Sequence, residues 1–205
     1  VRREVIHLEE KTLYGYAWNK VYRVQSLRES GVVFEKITLI EDIKFNVSYF
    51  DSVCSMNVLN TTPYHYLKRI DGSLTNKFLP DYFTLNAERV FLVLEQDKNW
   101  GMCTEEVRRI LANIYVRYLF SALQRNCDKR SDMNHAQRKE WLKQQYKTPL
   151  CKELLSAVQA SGTLFKCMAK AFCAGNIPLC LMIARSIFAV KSAFPTVFST
   201  LKQQH

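Results

Sequence analysis

The fold is decided by residues 80–96, PDYFTLNAERVFLVLEQ, in which apolar residues recur every three or four positions. That spacing places them on one stripe of a helix. Pro80 and Asp81 are typical of a first helical turn, so the sequence predicts a helix from Pro80 to about Gln96. The members of the stripe are Phe83, Ala87, Val90, Phe91 and Leu94.

The residues after this stretch predict further helices. A Thr-Glu-Glu sequence is a good cap for a second helix, and a charged helix is predicted from His135 to Tyr146. A proline and two glycines then mark the boundaries of the remaining helices. Residues 79–205 are therefore expected to form a helical bundle. The boundary residues are Thr104, Pro149, Gly162 and Gly175.

Residues 1–78 have shorter and more mixed patterns. Aromatic and β-branched residues alternate in three segments, which indicates half-buried strands. After the first of these, residues 41–53 predict a helix, because their apolar residues are again spaced by three and four. The predicted fold is therefore α/β and mostly helical overall, with a partial mixed sheet in residues 1–78 and a helical region in residues 79–205. The predicted strands are residues 20–24, 55–59 and 63–69.

The composition is that of a globular protein with an excess of positive charge. The 205 residues include 29 Lys and Arg against 19 Asp and Glu, which gives a net charge of +10, and 48% of them are hydrophobic. This balance excludes an intrinsically disordered chain. The seven cysteines are odd in number and form no C-x-x-C pair, which predicts reduced thiols and a cytosolic setting. No nucleic-acid partner is predicted, because no reader motif accompanies the charge.

The last part of the chain carries charge of one sign. Glu153 is the last acidic residue, and every charged residue in 154–205 is a lysine or an arginine. The apolar stretch from Ala171 to Ala184 is too short to span a bilayer. Two interpretations remain open: ordinary core helices with solvated lysines, or a basic amphipathic surface that lies on anionic lipid.

The residues that indicate a chemical function lie in short motifs that follow one another within residues 14–99. Each is weak alone, but their order and spacing make the set fairly specific. The motifs are GYAWNKVYR (15–23), VFE (33–35), EDIKFN (41–46), YHYLKR (64–69) and GSLT (72–75).

This set resembles the second half of the catalytic domain of bacterial family 2 glycosyltransferases, enzymes that use nucleotide sugars to build surface polysaccharides. The resemblance implies a GT-A-like mixed sheet and an inverting reaction, in which a carboxylate removes the proton of the acceptor hydroxyl. Asp42 matches the family's base, and Glu41 matches its supporting carboxylate. From the residues alone, adjacent carboxylates at a helix start are more often caps that the helix dipole favours.

The resemblance also implies substrate-binding residues. Trp18, Asn19 and Lys20 match the family segment beside the acceptor pocket, and Arg69 would approach the diphosphate of the donor. Structural alternatives stay open for these positions: Trp18 would fill a sheet–helix core, Lys20 would point to solvent, and Arg69 would be a strand position.

The first half of the family's domain, with its nucleotide-binding strands and metal-binding aspartates, has no counterpart in this sequence. A divalent metal, Mg or Mn, is therefore expected for the full-length enzyme, and no metal site is predicted in this chain. We expect an acceptor-side portion that is inactive alone. Its partners in the full-length enzyme would be a nucleotide-sugar donor and a saccharide or lipid-linked acceptor.

The expected surroundings follow from the same features. An open sheet edge would favour a homodimer. The expected location is cytoplasmic, with peripheral contact to the inner face of the cell membrane through residues 154–205. The alternative function is a non-catalytic, basic helical module that docks on a membrane or on a partner protein.

Overall fold

The computed structural model describes residues 1–37, 39–61, 64, 65 and 78–194. The chain divides into two compact units, Val1–Leu111 and Ala112–His205, with the division inside one long helix. In the described residues, two short 3₁₀ turns, Lys129–Ser131 and Leu155–Ala157, accompany the α-helices. The α-helices of the described part are α1 (Arg2–Glu10), α2 (Val24–Ser30), α3 (Glu41–Phe50), α4 (Tyr82–Asn99), α5 (Glu105–Arg125), α6 (His135–Lys147), α7 (Pro149–Leu154), α8 (Thr163–Cys173) and α9 (Ile177–Ala193).

No strand occurs in the described residues, so the predicted α/β class with its partial GT-A-like mixed sheet is wrong. Residues 20–23 are irregular and continue into α2, and residues 55–59 form no strand. Most of the third predicted strand, residues 63–69, lies outside the described residues. A strand needs a neighbour for its backbone groups and a surface for its side chains. Neither exists for Val21 or Val58, whose side chains are 97% and 80% exposed.

The predicted helices that start at strong signals are confirmed. The helix predicted from residue 41 is α3, and the helix predicted over residues 80–96 is α4. Thr104 caps α5, since its Oγ1 accepts a hydrogen bond from the Val107 backbone N–H at 3.3 Å. Asn134 caps α6 in a reciprocal arrangement with Gln137. Local signals of this kind need no tertiary partner, which explains why they predict structure well.

The first unit is built around α3 and α4, which pack against each other. α1 is tied to α4 by an ion pair in which Arg89 Nε and Nη2 lie 2.8 and 2.7 Å from the two Glu9 carboxylate oxygens. Glu9 is only 1% exposed, so Arg89 supplies the opposite charge that this buried carboxylate needs. The backbone at Gly15 passes so close that a Cβ there would lie 2.5 Å from Arg89 Nη2. An alanine at this position would therefore displace the Arg89 guanidinium from its place beside Glu9.

The second unit is a set of short helices. α9 packs against α8 and α6, and α7 packs against α6. Tyr146 joins two of these elements, because its ring stacks on Phe172 at 4.7 Å between centroids and its hydroxyl donates to the Phe172 carbonyl at 2.7 Å. Among the described helices, none combines the length and the apolar character needed to cross a bilayer. Other buried side chains of this unit are Tyr115, Leu119, Phe120, Leu123, Leu142, Leu154 and Cys180.

Candidate functional site

The candidate site is built on the loop between α1 and α2, residues 13–20, which folds around one ammonium group. Lys20 Nζ donates hydrogen bonds to the carbonyl oxygens of Leu13, Tyr14 and Tyr16 at 2.7, 2.9 and 2.6 Å. The Asn19 Oδ1 lies 2.9 Å from the same nitrogen. Burial lowers the pKa of Lys20 to about 8, so the group still carries its proton at neutral pH. The ammonium therefore fixes the path of the loop.

Two asparagines attach this loop to itself and to α3. Asn19 Nδ2 donates to the Leu13 carbonyl at 2.9 Å. Asn46, which is fully buried in α3, donates from Nδ2 to the Tyr14 carbonyl at 2.9 Å and accepts from the Tyr22 hydroxyl at 2.7 Å. Because a buried amide loses free energy when its partners are removed, Asn46 holds both ends of the loop against α3.

The predicted carboxylates lie in the first turn of α3, beside this loop. Asp42 is half-buried, and its Oδ2 accepts a hydrogen bond from the Ala17 backbone N–H at 3.2 Å. Its Oδ1 has no hydrogen-bond partner among the described residues. Glu41 is also half-buried, and its Oε2 is a buried atom without such a partner in the described part of the chain. Both positions are favourable for negative charge because the helix dipole is positive there.

Three aromatic rings, centred on Trp18 of this loop, lie against one another. The Trp18 ring lies 5.0 Å from the Tyr16 ring and 5.1 Å from the Tyr64 ring, with interplanar angles of 32° and 24°. All three rings are exposed. We refer to Tyr16, Trp18 and Tyr64 as the aromatic platform. Ala17 lies between two of its members in the sequence and binds Asp42, so one backbone contact connects this segment to the carboxylate.

The structure gives each predicted site residue a definite place, except one. Asp42 binds the backbone N–H of Ala17, the residue before Trp18, and Trp18 is exposed rather than packed into a core. Asn19 and Lys20 turn toward the loop carbonyls, where they shape the loop. Arg69 lies outside the described residues.

Sequence reasoning missed the ring partners of Trp18 and the anchoring amide of Asn46. Tyr16 stands two positions before Trp18, but their contact could not be predicted, because the loop bends and turns between residues 14 and 19. No local signal links Tyr64 to Trp18, because the two are separated by 46 positions and meet only through the fold.

The divalent metal implied by the resemblance has no site in this part of the molecule. Within the described ranges, no three His, Cys, Asp or Glu side chains are arranged to hold a metal ion. The described residues therefore offer no set of ligands for this metal.

No protein-family model matches the chain, and neither does any curated protein or solved structure. The resemblance to family 2 glycosyltransferases consequently depends on the motifs of residues 14–99.

Proposed function

We propose that this chain is the acceptor-side portion of an inverting, nucleotide-sugar-dependent glycosyltransferase of surface polysaccharide synthesis. The observation that carries the proposal is the hydrogen bond from the Ala17 N–H to Asp42 Oδ2 at 3.2 Å. It ties the backbone next to Trp18 to a half-buried carboxylate whose second oxygen has no hydrogen-bond partner among the described residues. A saccharide needs this combination, an aromatic surface for its apolar face and a carboxylate for its hydroxyls.

The proposed chemistry uses the open oxygen of Asp42 as the base. The acceptor sugar lies on the aromatic platform, and one of its hydroxyl groups donates a hydrogen bond to Asp42 Oδ1. As that hydroxyl oxygen attacks the anomeric carbon of the donor, its proton moves to Asp42. Glu41, adjacent to Asp42 in the first turn of α3, is the proposed supporting carboxylate.

Asn19 and Lys20 act in this proposal as positioning residues. The four oxygen atoms around Lys20 Nζ hold the backbone of residues 13–16, and this backbone leads directly into the platform. Arg69 remains the proposed contact to the donor diphosphate. The nucleotide-sugar donor and its divalent metal would be bound by residues other than those described here.

The proposed setting is the cytoplasm, at the inner face of the cell membrane. All seven cysteines are free thiols. A reducing compartment keeps thiols in this state, and nucleotide sugars are available there to an acceptor carried on the membrane.

Saccharide binding to the isolated chain tests the proposal. Saturation-transfer NMR with a panel of neutral and acidic oligosaccharides should detect a ligand that binds in the millimolar range. Asp42→Asn should weaken binding about 10- to 100-fold, because a hydrogen bond to a charged group contributes about 1.5–3 kcal/mol. Trp18→Ala should weaken it about fivefold or more through the lost ring contact.

Asp81→Asn is the matched control for the carboxylate. Asp81 is exposed at the start of α4 and makes no side-chain cap hydrogen bond, so it shares the helix-start position of Asp42 without the platform. Binding by this variant should equal that of the unaltered chain. Saccharides that bind Asp42→Asn and Trp18→Ala as tightly as the unaltered protein would contradict the proposed site.

A further inference from the structure

We propose that helices α8 and α9 form a docking face for a bilayer that contains anionic lipid. This inference concerns the second unit only and does not depend on the transferase proposal. It rests on two independent features, the exposed apolar side chains of α9 and the positive charge carried by α8 and α9.

The first feature is that α9 exposes apolar side chains opposite its buried side. Its buried side includes Cys180, Leu181 and Ala184, as expected for a helix that packs on α6 and α8. The opposite side is exposed, and Arg185 is its one exposed charged residue. Met182 is 58% exposed and Val190 is 53% exposed.

The spacing of the exposed residues in α9 shows which of them share one face of the helix. Positions 182, 186, 189 and 193 are spaced by four, three and four, so they share one helical face, and they are Met, Ser, Ala and Ala. All four are exposed along a 17-residue helix. Arg185 is three positions from Met182 and four from Ala189, so it borders this face. A weakly polar helix face bordered by a cation is compatible with a position at a membrane surface.

The second feature is the positive charge carried by α8 and α9. Lys166 and Lys170 lie one turn apart on the exposed side of α8, and Arg185 is exposed on α9. None of these three takes part in an ion pair within the described part of the chain. No aspartate or glutamate occurs from residue 154 onward. The cations are therefore uncompensated by neighbours in sequence or by contacts in the unit.

The two features together select an anionic bilayer as the occupant. Exposed apolar side chains enter the region between headgroups and acyl chains, while lysines and arginines at their edge contact the lipid phosphates and carboxylates. Leu164 and Phe194, 56% and 60% exposed, lie near the beginning and the end of this helix pair and extend the apolar contribution. Each lysine near an anionic surface strengthens binding about fivefold.

Vesicle sedimentation of the full chain tests the inference. The probes are vesicles of phosphatidylcholine alone and vesicles in which about a third of the lipid is phosphatidylserine. We expect pelleting with the second and little with the first. The double variant Lys166→Gln/Lys170→Gln should bind about 25-fold more weakly, because two surface cations are lost. Met182→Ser/Val190→Ser should reduce binding by removing inserted side chains.

Two matched controls accompany these variants. Lys139→Gln/Lys143→Gln removes the same charge from α6, where Lys143 already pairs with Glu140 at 3.4 Å. Phe91→Ser removes an exposed apolar side chain from α4 in the first unit. Both controls should pellet nearly as the unaltered chain does, and circular dichroism checks that every variant keeps its helices.

Three results would overturn the inference. The first is equal pelleting with both kinds of vesicle. The second is a loss of binding in the α6 control as large as that in the α8 variant. The third is a concentration-dependent dimer by light scattering that Met182→Ser/Val190→Ser abolishes, since a second copy would then cover α9. Because none of these variants touches the aromatic platform, saccharide binding remains a separate result.

Discussion

Asp97 is a carboxylate of α4 that lies inside the first unit. Its side chain is 1% exposed, and neither oxygen has a hydrogen-bond partner in the described part of the chain. Burial without a partner disfavours the charged form and raises the pKa of Asp97 from 3.8 to about 7. This carboxyl group should therefore make the stability of the protein depend on pH.

The sign follows from proton binding in the two states. Between about pH 4 and pH 7 the folded protein keeps the Asp97 proton, whereas the unfolded chain has released it. The contribution of Asp97 to the free energy of unfolding is thus greatest below pH 4, falls as the pH rises, and becomes constant above pH 7. The full difference is about 4 kcal/mol, since each unit between the two pKa values corresponds to about 1.4 kcal/mol.

Asp97→Asn tests this reasoning because the amide has nearly the same shape and no charge. At pH 5 the variant should be about 1.5 kcal/mol more stable than the unaltered protein, and its advantage should grow by about 2.5 kcal/mol, to about 4 kcal/mol, by pH 8. Urea unfolding at both pH values, analysed by linear extrapolation, measures the change, and all other titrating groups cancel in the comparison. An advantage of equal size at pH 5 and pH 8 would refute a buried, unpartnered carboxylate at this position.

Two further predictions concern packing and thiols. Gly15→Ala should destabilise the protein by about 2–4 kcal/mol in urea unfolding, because the new Cβ would displace the Arg89 guanidinium from its buried partner. A Cβ at Gly31 meets no atom within 4 Å, so Gly31→Ala should cost only about 1 kcal/mol of left-handed strain. Equal losses of stability in the two variants would contradict this. Burial raises the pKa of Cys151 and of Cys180 to about 11. Both thiols should therefore resist a thiol-specific chromogen at pH 8 until the protein unfolds. Rapid labelling of either cysteine, located by mass spectrometry, would contradict this prediction.

The sequence was a good guide wherever structure depends on neighbours along the chain. The start of α3 at two acidic residues and the cap of α5 at Thr104 could both be read directly, because a helix start is defined within one turn. The predicted strands failed for the opposite reason. An exposed valine such as Val58 has high strand propensity, but propensity becomes structure only beside another strand.

The same distinction applies to the candidate site. The motif containing Trp18 and the pair Glu41–Asp42 were visible in the sequence, and their proximity comes from the Ala17 hydrogen bond. The position of Lys20 was not predictable, since its acceptors are backbone carbonyls, which every residue possesses. Only the path of the loop decides which carbonyls meet the ammonium.

The most direct test of the account asks whether Asp42 contacts an acceptor hydroxyl. Once a saccharide ligand is found, its single-deoxy analogues are titrated against the unaltered chain and against Asp42→Asn. We predict that one analogue binds the unaltered chain at least about tenfold more weakly than the parent sugar, yet binds Asp42→Asn as well as the parent sugar does, because the same hydrogen bond is already lost. If the effects of the substitution and of every missing hydroxyl are simply additive, Asp42 does not touch the acceptor and the central claim is wrong.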